Sequence, residues 1–203
     1  MTPSPGWAAL RLALAGLTLA AVAVQLARHL AAGFAVTTFV GYFTILSNTL
    51  AGGVLLVGAV HAFAGRASSA RFEAVRGAAV VFMTVVGMVY VALLRGLPLE
   101  GLLPWVNAVH HYVMPVAVVA EWALRPPGVR LGRSWMLGTL AAPLVYLVVT
   151  LVRGAATGWY PYPFLDPDGA GGSGAVGATV VGIVVLFALA ALAVRALGAR
   201  GAA

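Results

Sequence analysis

Six stretches of apolar sequence, at about 7–27, 37–64, 74–94, 105–124, 134–152 and 174–197, constrain this chain more than any other feature. Each is close to the roughly 20 apolar residues that an α-helix needs to cross a hydrocarbon layer. An open sheet edge cannot satisfy its backbone groups in lipid, whereas a helix satisfies its own. The expected fold class is therefore all-α: a polytopic membrane protein, one transmembrane domain over 1–203, with six spanning helices. Charge supports this. Only 12 basic and 5 acidic residues occur among 203, or 8%, and 62% of the chain is hydrophobic. A soluble domain carries roughly a quarter charged residues, and so few cannot clothe a surface in water. With no cysteine, disulfides, thiolate metal sites and cysteine nucleophiles are excluded.

Segments rich in Gly, Pro and Arg separate the spans, as at 66–71, 97–104 and 125–133. The first span has small residues at 21–23, as a signal peptide does. It lacks a basic amino-terminal region and carries Arg11, so we read it as a span. Trp7, Trp105, Trp122, Trp135 and Trp159 each fall at or near a span end, where amphipathic rings favour the interface.

The pI near 10.8 comes from arginines standing singly or in small groups between apolar runs, a pattern that sets topology and makes nucleic acid an unexpected partner. Arg11, Arg66, Arg71, Arg76, Arg125, Arg130, Arg133, Arg195 and Arg200 share one side; Arg28, Arg95 and Arg153 share the other. The positive-inside rule then puts both termini in the cytoplasm. The 154–173 loop lies outside.

Polar groups inside a bilayer are costly, so their placement is informative. Thr44, Ser47 and Asn48 fall in the outer half of span two, and Asn107, His110 and His111 in the outer part of span four. Gln25, Tyr90, Tyr146 and Thr150 also lie toward the outer side, whereas Glu121 and His61 lie near enough to the cytoplasmic interface to reach it. Counted from the span ends, Thr44 and His111 both sit about 10 Å below the outer boundary at 1.5 Å rise per residue. They meet if helices two and four are neighbours.

Each of these residues also has a structural reading. Threonine in a membrane helix commonly bonds its own backbone or a neighbouring helix. Asn48 and Asn107 serve equally as helix bridges, and Glu121 with Arg125 reads as an i,i+4 pair at the cytoplasmic edge. The outer loop has no such simple counterpart. Its prolines at 161, 163 and 167 stiffen a run containing Trp159, Tyr160, Tyr162 and Phe164, aromatics ill suited to water. We expect Tyr160, Tyr162, Pro163 and Phe164 to fold back as a cap over the mouth of the bundle.

Three motifs together, Phe43-Thr-Ile-Leu-Ser-Asn48, Asn107-Ala-Val-His-His111 with Glu121 beyond, and Thr157-Gly-Trp-Tyr-Pro-Tyr-Pro-Phe-Leu-Asp166, resemble the androgen-induced (FAR-17a-like) membrane protein family, in particular its bacterial six-span members. The similarity runs from span two to the outer loop, and the loop motif is its most specific part. The resemblance implies a hydrolase of lipid esters, such as fatty acid esters of hydroxy fatty acids, using a threonine and a histidine. By motif position the threonine falls on Thr44. The histidine falls on His111 when Asn107 and Glu121 anchor the match, and on His110 when Pro115 does.

The chemistry suits those residues. A threonine hydroxyl needs a base to become a nucleophile, and a neutral imidazole is suited to the task. Asn48, then Tyr90, are the first candidates to hold the oxyanion, and Asn107 is placed to orient His111. Glu121, roughly 15 Å along the helix from His111, is too distant to act as a triad acid. Neither a metal nor another cofactor is expected. The expected partner is a membrane lipid or fatty acid ester, and the expected location a bacterial cytoplasmic membrane with the site facing its extracytoplasmic side. A lipid-binding or carrier protein and an acyltransferase are the competing readings. A transporter is disfavoured, because no inverted repeat, broken midplane helix or midplane acid is evident.

Overall fold

The computed structural model describes residues 4–97 and 101–201, and these form helices and connecting turns with no strand among them. Residues 98–100 of the 97–104 connection lie outside the described residues. The long helical runs are α1 (Pro5–Ala31), α2 (Phe43–Phe63), α3 (Ala70–Leu94), α4 (104–124), α5 (Arg133–Thr157) and α6 (Ser173–Ala199). Five of them, all but α4, are long and apolar enough to cross a membrane. The protein is thus a helical membrane protein by length and composition. The α4 run carries Asn107, His110, His111 and Glu121, polar residues that lower its hydropathy.

Successive runs alternate in direction, and α3 lies at the centre. It packs on α2, α4 and α6, while α1 packs on α2, and α5 leans on α6 and only lightly on α3. The interior of α3 is lined by small and β-branched residues, with Val80, Val81, Met83, Val85 and Val86 all buried. Interhelical contact in lipid depends on such close packing, since lipid tails are as apolar as leucine.

The polar residues of the end shared by the starts of α1 and α3 and the close of α4 form one buried cluster. The Arg11 guanidinium donates to Glu121 Oε1 through Nε at 3.0 Å and also through Nη2, and Nη1 donates to the Gly58 carbonyl at 3.4 Å. Arg76 donates to Glu121 Oε2 at 2.8 Å, to Glu73 Oε2 at 2.8 Å and to the Arg125 carbonyl at 2.9 Å. Its guanidinium also lies 4.5 Å from the centre of the Trp122 ring. Two carboxylates and two guanidiniums thus neutralise each other where α1, α3 and α4 meet.

Three sequence expectations change here. Glu121 is turned into the protein rather than outward; it is 4% exposed. Its partners are Arg11 and Arg76, because α4 ends at Leu124 and Arg125 leaves helical geometry at φ −134°, ψ 64°. Arg125 instead lies over Trp7, 5.2 Å from the ring centre. Trp122 is a buried anchor rather than an interfacial ring, its indole N–H donating to the Val194 carbonyl at 3.0 Å.

Removing one partner of a buried ion pair strands the other, at a cost of about 3–5 kcal/mol. Glu121→Gln is accordingly expected to lower unfolding stability in detergent by that amount. Arg125→Ala removes only a surface contact and is expected to cost less than about 1 kcal/mol. Denaturant titration of both variants checks the contrast; equal losses contradict the assignment.

Candidate active site

The segment expected to enter span two at residue 37 is interrupted. Val36–Phe39 forms one short turn of helix, the chain turns at Gly41, and α2 starts at Phe43 with Tyr42 extended before it at φ −85°, ψ 122°. Thr44 therefore occupies the first turn of α2 rather than its second. Amides of a first turn have no intrahelical acceptor. That of Thr44 donates to the hydroxyl of Tyr162, 3.2 Å away.

His111 reaches the same place from α4. Pro104 opens that run, and a π turn at Val109–Val113 carries both histidines. Pro115 lacks an N–H, so the backbone cannot continue its ordinary bonding to His111, which accounts for the turn. Helix α3 comes close at this level through Gly87, where a Cβ would stand 2.9 Å from Pro115. A second π turn, Tyr90–Leu94, ends α3 beside it.

Side chains from α2, α3 and α4 then form one chain of hydrogen bonds. Asn107 donates from Nδ2 to the Tyr90 hydroxyl at 2.7 Å, which leaves its Oδ1 to accept from His111 Nδ1, also at 2.7 Å. With a proton on Nδ1, neutral His111 presents a bare Nε2 to the Thr44 hydroxyl, 3.4 Å away. The Tyr90 ring stacks on the His111 ring at 4.1 Å and 17°, fixing its plane. This is the arrangement of a nucleophile, a base and a group orienting the base.

The other candidates brace it. Asn48 is fully buried, and its Nδ2 donates to the carbonyls of Thr44 at 2.9 Å and His110 at 3.4 Å. Its Oδ1 accepts from Thr18 at 3.2 Å, tying α1 to the site. The amide is engaged below Thr44, and the Tyr90 hydroxyl is engaged with Asn107. His110 points elsewhere; its Nε2 is buried and has no hydrogen-bond partner among the described residues.

The strap 158–172 crosses this end of the bundle. Tyr162 packs edge-on against Tyr42, with ring centres 5.8 Å apart, and stacks on Phe164 at 5.1 Å. Pro163–Leu165 adds one helical turn. Arg153 anchors the strap by covering Trp159 at 4.5 Å while donating to the Thr37 carbonyl at 3.0 Å. Tyr160 lies against Gly154, where an added Cβ would fall 2.0 Å from its ring.

Beneath the strap a cavity of about 130 Å³ opens from Thr44 between α3, α5 and α6. Val86, Leu94, Leu144, Leu147, Ile183 and Phe187 line it, and Tyr162 and Phe164 roof it. Among the described residues its polar side-chain groups are the hydroxyls of Thr44, Tyr146 and Tyr162. Comparison of the chain with family models, curated proteins and solved structures finds no match.

Sequence reasoning brought Thr44, His111, Asn107, Asn48 and Tyr90 to one region, and these are together. It treated Tyr162 only as a cap and missed that its hydroxyl reaches Thr44, 3.4 Å from Oγ1. It also passed over Thr18, a lone hydroxyl in the apolar stretch 12–24 of α1, which was the available signal.

The hydrogen bonds make His111 an Nδ1–H tautomer. Nitrogen-15 NMR of histidine-labelled protein is expected to show it, and Asn107→Ala to mix the tautomers; an unchanged spectrum contradicts the relay. Gly154→Ala should displace Tyr160 and loosen the strap, read as faster proteolysis within 158–172 with the helices still protected.

Proposed function

We propose that this protein is a lipid-ester hydrolase embedded in the membrane by six spans, with both termini cytoplasmic and the strap on the extracytoplasmic side. The observation that carries the reading is the Asn107–His111–Thr44 relay at the mouth of an apolar cavity. The fatty acyl chain of the ester lies in the cavity between α3, α5 and α6, which has no charged side chain among its described lining residues, and the ester carbonyl stands over Thr44. Thr44 is the nucleophile, His111 the base that receives its proton, and Asn107 the group that holds the imidazole. Asparagine in that position resembles the Cys-His-Asn arrangement of thiol proteases rather than a carboxylate triad.

The arginine distribution supports the orientation: seven of the nine arginines of the basic end stand outside the buried ion cluster. The resemblance to the androgen-induced family supports the substrate class, fatty acid esters of hydroxy fatty acids.

Purified protein is expected to hydrolyse such an ester and to be labelled at Thr44 by a fluorophosphonate. Thr44→Ala and His111→Ala should each lower kcat by at least about 10²-fold, whereas His110→Ala keeps the Thr44–His111 contact and most of the rate. Equal hydrolysis by wild type, Thr44→Ala and His111→Ala would overturn the reading. Tight retention of lipid with no adduct at Thr44 would make the protein a carrier instead.

A further inference from the structure

A nucleophile and its base are only part of an ester-cleaving site; the negative charge that develops on the carbonyl oxygen needs donors held in place beforehand. Asn48 Nδ2 is committed to two backbone carbonyls, and the Tyr146 hydroxyl donates to the Gly41 carbonyl at 2.8 Å. The Tyr90 hydroxyl lies on the far side of Asn107. Tyr162 differs from all three. Its oxygen receives the Thr44 amide, and among the described residues it bonds no backbone carbonyl, with Thr44 Oγ1 within 3.4 Å.

We propose that Tyr162 is a catalytic residue, its hydroxyl and the Thr44 amide together forming the oxyanion hole. This rests on the reading of Thr44 as nucleophile. The two groups already converge beside Oγ1, and the oxyanion of a tetrahedral adduct stands only two bonds from that atom. A nucleophile's own backbone N–H serves this purpose in serine proteases. Here it is available because Thr44 lies in the first turn of α2.

The step balances within these groups. Thr44 Oγ1 bonds to the ester carbonyl carbon as its proton passes to His111 Nε2. The carbonyl π pair moves onto oxygen, which accepts from the Tyr162 O–H and takes the place of the phenol oxygen as acceptor of the Thr44 N–H. Collapse re-forms the carbonyl and breaks the bond to the alcohol, which leaves with the proton from His111. Water then releases the acyl group by the same steps.

Two features fit Tyr162 to donate rather than to take a proton. Burial pushes its phenol above the ordinary tyrosine range, so it stays protonated and does not compete with His111 as base. Prolines 161 and 163 flank it, and Tyr42 and Phe164 grip its ring, so the hydroxyl is placed before substrate arrives. The strap therefore contributes a reacting group as well as a roof.

Tyr162→Phe removes the hydroxyl and keeps the ring contacts. With p-nitrophenyl palmitate in detergent micelles, kcat is expected to fall about 10²–10³-fold while KM stays within about threefold. Affinity for a palmityl trifluoromethyl ketone, which forms a charged adduct with the nucleophile, should fall in parallel; a purely structural role would not produce that correlation. Thermal unfolding of the variant serves as the folding check. Wild-type kcat in Tyr162→Phe, or a change confined to KM, overturns the assignment while labelling of Thr44 leaves the nucleophile reading standing. If wild type neither hydrolyses the ester nor labels at Thr44, both fall together.

Discussion

The buried cluster of Arg11, Glu73, Arg76 and Glu121 is the interaction on which the rest of the bundle depends. Charges taken from water into a medium of low dielectric are strongly penalised unless each finds a partner and its remaining hydrogen bonds. That requirement is directional. Glu121 offers two oxygens on α4, one to Arg11 of α1 and one to Arg76 of α3, and the guanidiniums finish on the Gly58 and Arg125 carbonyls. Apolar faces slide over one another in lipid at little cost, but this set closes in only one rotation of α1, α3 and α4.

The relay at the opposite end depends on those rotations. Tyr90 and His111 belong to α3 and α4, and their rings stack only if the two helices keep both register and facing. Thr18 on α1 completes the bonding of Asn48, which holds the first turn of α2 from beneath. The same three helices that share the ion cluster thus each send a side chain to the site or its support. Helix α5, outside this framework, borders the cavity with α3 and α6 and packs only lightly on α3.

Much of this was legible in the sequence because membrane helices impose one dominant periodicity and make polar residues conspicuous. Apolar length placed the runs, and the outer-half polar set led to Thr44, His111, Asn107 and Asn48. What failed was local backbone geometry. A hydropathy window does not register the turn at Gly41, so Thr44 was counted down from residue 37 when it actually opens α2. Nor does spacing foresee a π turn, although Pro115 four residues beyond His111 was its cause in plain view. The Glu121–Arg125 pairing failed for a related reason: an i,i+4 rule holds only while the helix continues, and α4 stops at Leu124.

The charge balance of the two ends sets the chemistry open to the site. At the ion cluster, full charges are tolerated because they come in matched numbers. At the relay, the described partners of His111 are asparagine, tyrosine and threonine, all uncharged. A carboxylate in place of Asn107 would bring a charge to a half-buried position whose described side-chain partners are uncharged, a penalty at that depth. Asparagine avoids that cost and still fixes the imidazole tautomer. It gives up electrostatic stabilisation of the imidazolium that forms when the base takes a proton. In the proposed reaction more of the developing charge must then be met on the other side, at the oxyanion. That shifts importance to neutral donors set rigidly in place, and the strap, fastened through Arg153, Trp159 and Tyr42, holds the Tyr162 hydroxyl at that position.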